Sequence, residues 1–251
     1  ELEDFISKEP KAKAYIKQLI GAKEFINGNL RWCLWLVGIS PTELRSMPLV
    51  LERVQKVKEM RENSSDSGAQ KLALTPTTFR ETNNPSSAIV IPCHSSENRR
   101  YVPMGFIDNT IVVTNAVLFI PGASVYHFGV LTSNVHMAWM RAVCGRIKSD
   151  YRYSKEVVYN NFPWPTPTDV QKAKIEQTAQ AILDARELYP DSSLADLYDE
   201  VAMPPELRRA HQQNDRAVMQ AYGFSVKDMT ESSCVAELIK RYQALVTKQN
   251  G

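Results

Sequence analysis

The sequence has few of the residues that cross-linked or metal-bound small proteins depend on. Its 251 residues include only four cysteines, and none of them forms a C-x-x-C pair. This spacing indicates neither a disulfide framework nor a zinc knuckle, and reduced thiols in a core are expected. No apolar run approaches the roughly 20 residues that span a bilayer, so no membrane partner is expected.

The motifs of common enzymes are also missing. The ten glycines include no G-x-G pair, and such a pair is typical of the turn that binds S-adenosylmethionine or a dinucleotide. The four histidines form no H-E-x-x-H motif, and neither a G-x-S-x-G motif nor a nuclease-like carboxylate pair occurs. The sequence therefore predicts no catalytic, cofactor-binding or metal-binding residue.

The net charge is only +2, but it is unevenly distributed along the chain. Residues 71–159 carry a net +4, whereas residues 160–251 carry a net −3. The middle of the chain would tolerate a polyanion, and the C-terminal part would be repelled by one. Because the chain begins at Glu1, with neither an initiator methionine nor a signal-like apolar run, we expect a cytoplasmic piece of a longer protein.

Hydrophobic periodicity and capping residues predict an α+β fold with a mixed or antiparallel sheet and flanking helices. A helix is expected over 5–20 and a buried strand over 31–37. A helix is also expected to start at Ser40-Pro41, with Pro48 kinking or restarting it. Short β-type runs predict a sheet between residues 88 and 121, and one more strand is expected over 156–159.

The C-terminal part is predicted to be helical. Ser133 is expected to cap a helix that stops at Gly145, and Thr168 opens a capping box for the next helix. A third helix follows Pro204-Pro205 and ends at Gly223, and a last one carries apolar residues at helical spacing. We place a domain boundary near Pro165, which gives a domain of residues 1–165 and a helical domain of residues 166–251.

Residues 159–165 read YNNFPWP, which is similar to the Asn-Pro-Pro-aromatic loop that holds a flipped adenine in DNA methyltransferases. The two adjacent prolines of that loop are missing. We interpret the segment as a structural exit loop, with Phe162 and Trp164 filling a core. His211 lies on the apolar face of its predicted helix beside Asn214, which favours a buried hydrogen-bonded pair.

Two polar clusters are candidates for binding. The segment His94-Ser95-Ser96-Glu97-Asn98-Arg99-Arg100-Tyr101 lies between two predicted strands. Its side chains are of the types that contact base edges and phosphates. The same pattern is typical of a solvated loop with a structural arginine–glutamate pair. The second cluster interleaves basic residues with Tyr151 and Tyr153, which suits a phosphate backbone and equally an ordinary solvated face; it comprises Arg141, Arg146, Lys148, Arg152 and Lys155.

Several segments together resemble the C-terminal half of the MmeI-like (type IIL) restriction–modification enzymes. They are GAKEFINGNLRWCLWL (21–36), SMPLVLERVQKVKEMRENS (46–64), IPCHSSENRRYVPMGF (91–106), the run from SNVHMAWMRAV to YNNFPWP (133–165) and SLADLYDEVAMPPELRRAHQQNDRAVMQAYGF (193–224). The resemblance implies a target recognition domain with a helical extension. It also implies that double-stranded DNA is the partner, and that an adenine-N6 methyltransferase domain of the same polypeptide binds S-adenosylmethionine.

The resemblance does not assign individual DNA-reading residues. The loop of Ser95, Ser96, Glu97, Asn98, Arg99, Arg100 and Tyr101, the polar region of Arg61 and Ser64, and the basic residues Arg146, Lys148 and Arg152 are our candidates. Two other roles stay open. The chain could be a protein-interaction or scaffold domain of a phage-defence methyltransferase-like protein, or an independent enzyme of an unrecognised type.

Overall fold

The computed structural model describes residues 1–250, with the side chains of residues 1–248. It divides into two compact units, each formed from several segments of the chain. The first consists of Glu1–Ile20, Leu30–Pro85 and Asp108–Val112. The second consists of Gly21–Asn29, Ser86–Ile107 and Val113–Gly251. Small antiparallel sheets with flanking helices confirm the predicted α+β class.

The first unit combines a short three-stranded sheet with helices. Strands β1 (Ile16–Ile20), β2 (Trp32–Leu34) and β6 (Ile111–Val113) lie in the order β2-β1-β6, and β1 pairs with β2 in an antiparallel sense. Its helices are α1 (Leu2–Lys8), α3 (Pro41–Arg45), α4 (Pro48–Glu62) and α5 (Ser67–Leu72). The small core of this unit comprises Ala12, Leu36, Met47, Val50 and Val54.

Two predictions for the first unit were wrong. The helix expected over 5–20 ends at Lys8, because Pro10 follows and disfavours helix at Glu9; a 3₁₀ turn and β1 come next. The buried strand expected over 31–37 is reduced to β2, an edge strand on which Trp32 is 43 % exposed. The helix start was right, since the Ser40 hydroxyl accepts from the Glu43 N–H at 3.1 Å, and Pro48 begins a new helix.

The second unit contains two antiparallel sheets. In the first, the central strand β3 (Ala88–Pro92) pairs with β5 (Gly105–Ile107) and β7 (Val117–Pro121), with Ile89 opposite Phe106 and Ile120. In the second, the order is β4 (His94–Ser95), β9 (Asp150–Arg152), β8 (Gly145–Ile147). Of the β-type runs predicted between residues 88 and 121, strands form at β3, β5, β6 and β7, whereas residues 101–104 are not a strand and β6 pairs in the sheet of the first unit.

Except for the first of them, the helices of the second unit share one continuous core with its first sheet. They are α2 (Ala22–Asn27), α6 (Val125–Leu131), α7 (Asn134–Val143), α8 (Asp169–Glu187), α9 (Leu194–Leu197), α10 (Pro205–Tyr222) and α11 (Glu231–Asn250). The predicted starts at Ser133, Thr168 and Pro205 are confirmed, and Gly223 ends α10 in the left-handed region at φ 72°. The boundary predicted near residue 165 falls within this unit and stays a prediction.

The first part of the segment of residues 154–165 differs in secondary structure from its prediction, and the second part agrees with it. The strand expected over 156–159 is a π-helical turn, Lys155–Tyr159, whose start is capped by the Ser154 side chain. The exit loop after it packs as predicted. Phe162 is buried and lies edge-on to His136 at 4.4 Å, and the Tyr222 hydroxyl donates to the carbonyl of Pro163 at 2.7 Å. The loop therefore has a structural role.

Candidate nucleic-acid interface

The second sheet of unit two brings together the two polar clusters that the sequence presents separately. Strand β9 pairs on one side with β4, which leads into the polar loop (residues 96–100), and on the other with β8. Ser95 lies opposite Tyr151, and Tyr151 lies opposite Arg146. The polar loop therefore lies beside the basic hairpin (residues 145–152), and the two form one exposed surface.

The basic hairpin has a tight tip. Ile147 pairs with Asp150, which leaves the two residues Lys148 and Ser149 to make the turn. Lys148 has φ 56°, as two-residue hairpin turns require, although asparagine and glycine adopt this conformation more readily. The Arg146 guanidinium donates to the Ser149 carbonyl at 2.7 Å and lies 4.5 Å from the Tyr151 ring centre. These contacts hold the tip with Lys148 exposed.

Residues of β9 alternate between core and solvent. Tyr151 is buried, whereas Asp150 and Arg152 on either side of it are exposed, as a pleated strand requires. Arg152 lies opposite His94 of β4, which is also exposed. The solvent-facing side of this sheet thus presents the imidazole of His94, the carboxylate of Asp150 and the guanidinium of Arg152.

Glu97 ties the polar loop to the basic hairpin. Its carboxylate lies 3.6 Å from the Arg146 guanidinium, and its backbone N–H donates to Asp150 at 3.3 Å. An arginine–glutamate pair was one of the two roles expected for this loop, and its arginine comes from the hairpin. Because both side chains are more than 40 % exposed, the pair contributes little stability.

Three cations of this surface have no protein partner. Within residues 1–248, the side chains of Arg99, Lys148 and Arg152 make neither an ion pair nor a hydrogen bond. Nearby, Arg141 is fully engaged: it donates to Glu231 at 2.7 and 2.9 Å and to the Arg100 carbonyl at 3.2 Å. The surface therefore carries positive charge that is free to meet an anion.

Two predicted contact residues are buried. Ser95 is 5 % exposed and Tyr101 is 2 % exposed, so neither side chain reaches a ligand at the surface. The Tyr101 hydroxyl donates to Asp215 at 2.7 Å, and its ring stacks on His211 with centres 4.1 Å apart. Burial and the Asp215 carboxylate raise the pKa of Tyr101, which keeps the phenol protonated. Tyr101 thus anchors the end of the polar loop.

A groove of about 420 Å³ lies between the polar loop and the helices behind it. Its charged lining residues have both signs, with Arg99, Arg100 and Arg141 facing Glu97, Glu200 and Glu231. The remaining lining includes Asn98, Asn134, Thr230 and apolar side chains of α7 and α10. Polar side chains of opposite charge in a groove are suited to directional hydrogen bonds rather than to simple attraction of a polyanion.

The region of Arg61 and Ser64 has a structural role in the first unit. The Arg61 guanidinium donates to the carbonyls of Leu72, Thr75 and Thr78 at 3.0, 3.1 and 2.7 Å. Ser64 accepts from the Asp66 N–H at 3.1 Å. Arg61 was predicted to contact DNA, but its guanidinium N–H groups are hydrogen-bonded to these three backbone carbonyls. The guanidinium is therefore occupied.

The buried polar groups of α10 were not predicted as a functional set. His211 and Asn214 are both buried, but they do not pair with each other as expected. The His211 Nε2 lies 2.8 Å from the Tyr198 hydroxyl, and the Asn214 amide donates to the Gly129 carbonyl at 2.7 Å. Asp215, next in the chain, was missed entirely. An acidic residue bordering an apolar helix face was the only sequence signal for it.

Other kinds of site are absent from the part of the chain that the structure describes. Among those residues, no three histidine, cysteine or acidic side chains are grouped so that they could hold a metal ion. No helix among them is long and apolar enough to cross a membrane. Cys33, Cys93, Cys144 and Cys234 are free thiols; thiols in a core were expected, and of the four only Cys234 is buried.

Comparison with known proteins gives consistent matches over the whole chain. Residues 1–166 match the family model described as the MmeI target recognition domain, and residues 167–249 match the MmeI C-terminal domain. The chain is 42 % identical over 249 residues to DNA methyltransferase A of Bacillus subtilis (strain 168), covering 99 % of this chain and 28 % of that protein.

A solved structure is also similar. It is the type IIL restriction–modification enzyme MmeI in complex with DNA, with a TM-score of 0.94 and 45 % identity. The match covers 98 % of this chain and 33 % of the other. The chain therefore spans about a third or less of the length of the relatives it matches.

Proposed function

Because the chain belongs to the MmeI family, over its target recognition and C-terminal domains, we propose that it binds double-stranded DNA and reads a short base sequence. The proposal rests on one observation: the polar loop and the basic hairpin lie side by side on one exposed surface. Arg99, Lys148 and Arg152 are unpaired there. Unpaired cations on an exposed surface are the groups that neutralise phosphates.

The basic hairpin has the shape needed for the major groove. A groove about 12 Å wide admits a two-stranded ribbon. The tip of the hairpin, residues 146–150, is such a ribbon, because β4 pairs only with Tyr151 and Arg152 of β9. With the turn at Lys148 entering first, Arg152 and Asp150 lie on the ribbon face that can meet base edges. Arginine recognises guanine through two hydrogen bonds, and a carboxylate accepts from the cytosine amino group. The polar loop beside the ribbon adds Asn98 and Arg99.

Methyl transfer is proposed to lie outside this chain. The ten glycines form no G-x-G turn and residues 159–165 lack the Asn-Pro-Pro motif, so these residues do not fit S-adenosylmethionine or a flipped adenine. We place an adenine-N6 methyltransferase domain, with its S-adenosylmethionine, elsewhere in the same polypeptide. A cleavage assay of the whole polypeptide decides whether it also has endonuclease activity. Such a protein acts on cellular DNA and is therefore assigned to the cytoplasm.

Fluorescence anisotropy with a labelled duplex, at several salt concentrations, tests DNA binding. A triple variant, Arg99→Ala with Lys148→Ala and Arg152→Ala, removes the unpaired cations of the surface. Its matched control, Arg209→Ala with Arg216→Ala and Lys227→Ala, removes the same charges from exposed positions on and after α10. Each lost phosphate contact lowers the magnitude of the salt slope by about 0.9. With Arg99 and Lys148 on phosphates and Arg152 on a base edge, the salt slope of the first variant should fall by roughly 2, and that of the control should hardly change.

Three outcomes would contradict the proposal. Equal losses in both triple variants would mean that net charge, and not this surface, attracts DNA. The absence of any binding by the unaltered chain, together with capture of a stable protein partner, would favour the scaffold role. Methyl transfer or nuclease turnover by the chain alone would favour an independent enzyme.

A further inference from the structure

Asp215 connects the C-terminal helical segment to the polar loop. It lies on α10, is 5 % exposed, and uses both carboxylate oxygens. One accepts from the Tyr101 hydroxyl at 2.7 Å, and the other accepts from the backbone N–H of Asn134 at 2.7 Å. A single buried carboxylate thereby fixes the end of the polar loop to the first turn of α7 and to α10.

Further contacts hold the same end of the loop. Arg141 on α7 donates to the Arg100 carbonyl while its guanidinium is held by Glu231 of α11. The Arg100 guanidinium lies 5.6 Å from the Tyr101 ring centre. The opposite end of the loop is held differently, by the pairing of Ser95 with Tyr151. The loop is therefore clamped between a sheet and the C-terminal helices.

Burying a carboxylate costs free energy of desolvation, so it is an inefficient way to stabilise a fold. Desolvation of Asp215 outweighs its two hydrogen bonds and the nearby arginines, and its pKa rises to about 6. An apolar side chain of similar volume would often be at least as stable in such a position. What an apolar residue would not provide is a fixed direction for the Tyr101 hydroxyl, and with it a fixed path for residues 96–100.

We propose that Asp215 is a positioning residue for DNA recognition: through Tyr101 it sets the direction in which Arg99 and Arg100 leave the polar loop. This inference rests on the proposed function. It assigns to the C-terminal helices a direct part in recognition, in addition to their packing role. Asp215 itself does not touch DNA, because it is buried behind Tyr101 and the first turn of α7.

The test compares two variants that lose the same chemical group. Tyr101→Phe removes a buried hydroxyl that donates to Asp215, and it leaves the ring stacked on His211. Tyr222→Phe removes a buried hydroxyl that donates to the Pro163 carbonyl at the same distance of 2.7 Å. The two tyrosines are 2 % and 3 % exposed. Each variant loses one buried hydrogen bond, and the bond of Tyr101 is the stronger because its acceptor is a carboxylate. Only Tyr101→Phe should release the loop.

Two quantities are measured in each variant: amide hydrogen exchange of residues 97–100 and affinity for the duplex. For Tyr101→Phe we expect exchange to become at least tenfold faster and DNA affinity to fall about tenfold. For Tyr222→Phe both should stay within about twofold of the unaltered protein. Equal affinity and equal loop exchange in the two variants would overturn the inference, provided that the unaltered protein binds DNA. If the unaltered protein does not bind, the proposed function fails instead.

A second pair of variants keeps the test decisive if Tyr101→Phe does not fold. Glu231→Gln weakens the contact between Arg141 and the polar loop, because it removes the negative charge that holds the Arg141 guanidinium in place. Glu237→Gln is the control, because the Glu237 side chain on α11 is 43 % exposed and, within residues 1–248, pairs with Lys240 alone, at 2.6 Å. Glu231→Gln should weaken DNA binding at least threefold with faster loop exchange, and Glu237→Gln should change neither. Identical behaviour of this pair would contradict the inference.

Discussion

The carboxylate of Glu97 lies 3.6 Å from the guanidinium of Arg146, and this ion pair joins two segments that are distant in the sequence. Arg146 in turn lies over the ring of Tyr151, the residue through which β4, β9 and β8 are in register. The pair therefore marks the line along which the polar loop and the basic hairpin meet. It also places one negative charge in a surface otherwise rich in unpaired cations.

Glu97→Gln should strengthen binding to DNA of random sequence. The change removes a carboxylate that repels phosphates, and the exposed pair it breaks is worth only about 0 to 1 kcal/mol of stability. We expect affinity for a random duplex to rise severalfold at low salt, measured by anisotropy, with almost no change in the free energy of unfolding. Weaker binding with unchanged stability would mean instead that Glu97 contacts DNA or holds Arg146 in place.

Arg61→Ala should destabilise the first unit without weakening DNA binding. The substitution leaves three loop carbonyls without their guanidinium donor, at a cost of about 2 kcal/mol. Lys58→Ala on the same helix removes the same charge from an exposed pair with Glu62 and should cost less than about 0.5 kcal/mol. Urea unfolding and duplex anisotropy on both variants check this. A loss of affinity confined to Arg61→Ala, without a loss of stability, would restore it as a DNA contact.

Gly129→Ala should be strongly destabilising because α6 and α8 approach each other closely at this residue. An added Cβ would lie 2.7 Å from the Ile175 side chain and 2.8 Å from the Ala179 Cβ. Overpacking of this kind typically costs about 1 to 3 kcal/mol. Gly145→Ala is the control, since its nearest added contact is 3.9 Å. Thermal unfolding should show a clear decrease for the first variant only.

The stability of the protein should depend on pH through Asp215. Burial raises the pKa of the Asp215 carboxyl from 3.8 to about 6 in the folded protein. Protonation of this carboxyl therefore stabilises the fold fully below pH 3.8, and this stabilisation is lost as pH rises through 6. Between pH 7.5 and pH 5, the free energy of unfolding should rise by about 1 kcal/mol relative to Asp215→Asn. Denaturant unfolding of both proteins measures the difference.

A difference that does not change with pH would show that Asp215 stays ionised throughout that range. The hydrogen bond from Tyr101 and the charges of Arg100 and Arg141, which favour the carboxylate, would then outweigh its desolvation. Other titrating groups, including the buried His136 and His211, are present in both proteins and therefore cancel in the comparison.

Local signals explain which elements were predictable. Ser133 and Thr168 cap their helices with their own hydroxyls, within three residues of the amide that they bind, so the pattern is readable from sequence. The turn at residues 156–159 was not predictable, because the β-branched side chains of Val157 and Val158 favour a strand. The Ser154 cap and the Asn161 amide, which donates to carbonyls of Glu156 and Val157, favour the turn that forms.

The candidate site was only partly predictable, because only some of its features depend on residues that are close together in the sequence. Clusters of charge are visible in the sequence, and both the polar loop and the basic residues were identified from them, but the hairpin of β8 and β9 was not predicted. Their union depends on pairing between strands of two and three residues, β4 and β9, for which no local pattern exists. The burial of Tyr101 likewise depends on Asp215, which is 114 residues away in the chain.

The most direct test of the shared DNA-reading surface is a hydrogen-exchange footprint on the unaltered chain, with and without a saturating DNA duplex. We expect the amides of residues 96–100 and of residues 146–152 both to become protected, while those of α9 and the exposed half of α10 do not change. Protection of only one of the two segments, or protection centred on the helices instead, would contradict the claim that the polar loop and the basic hairpin act as one surface.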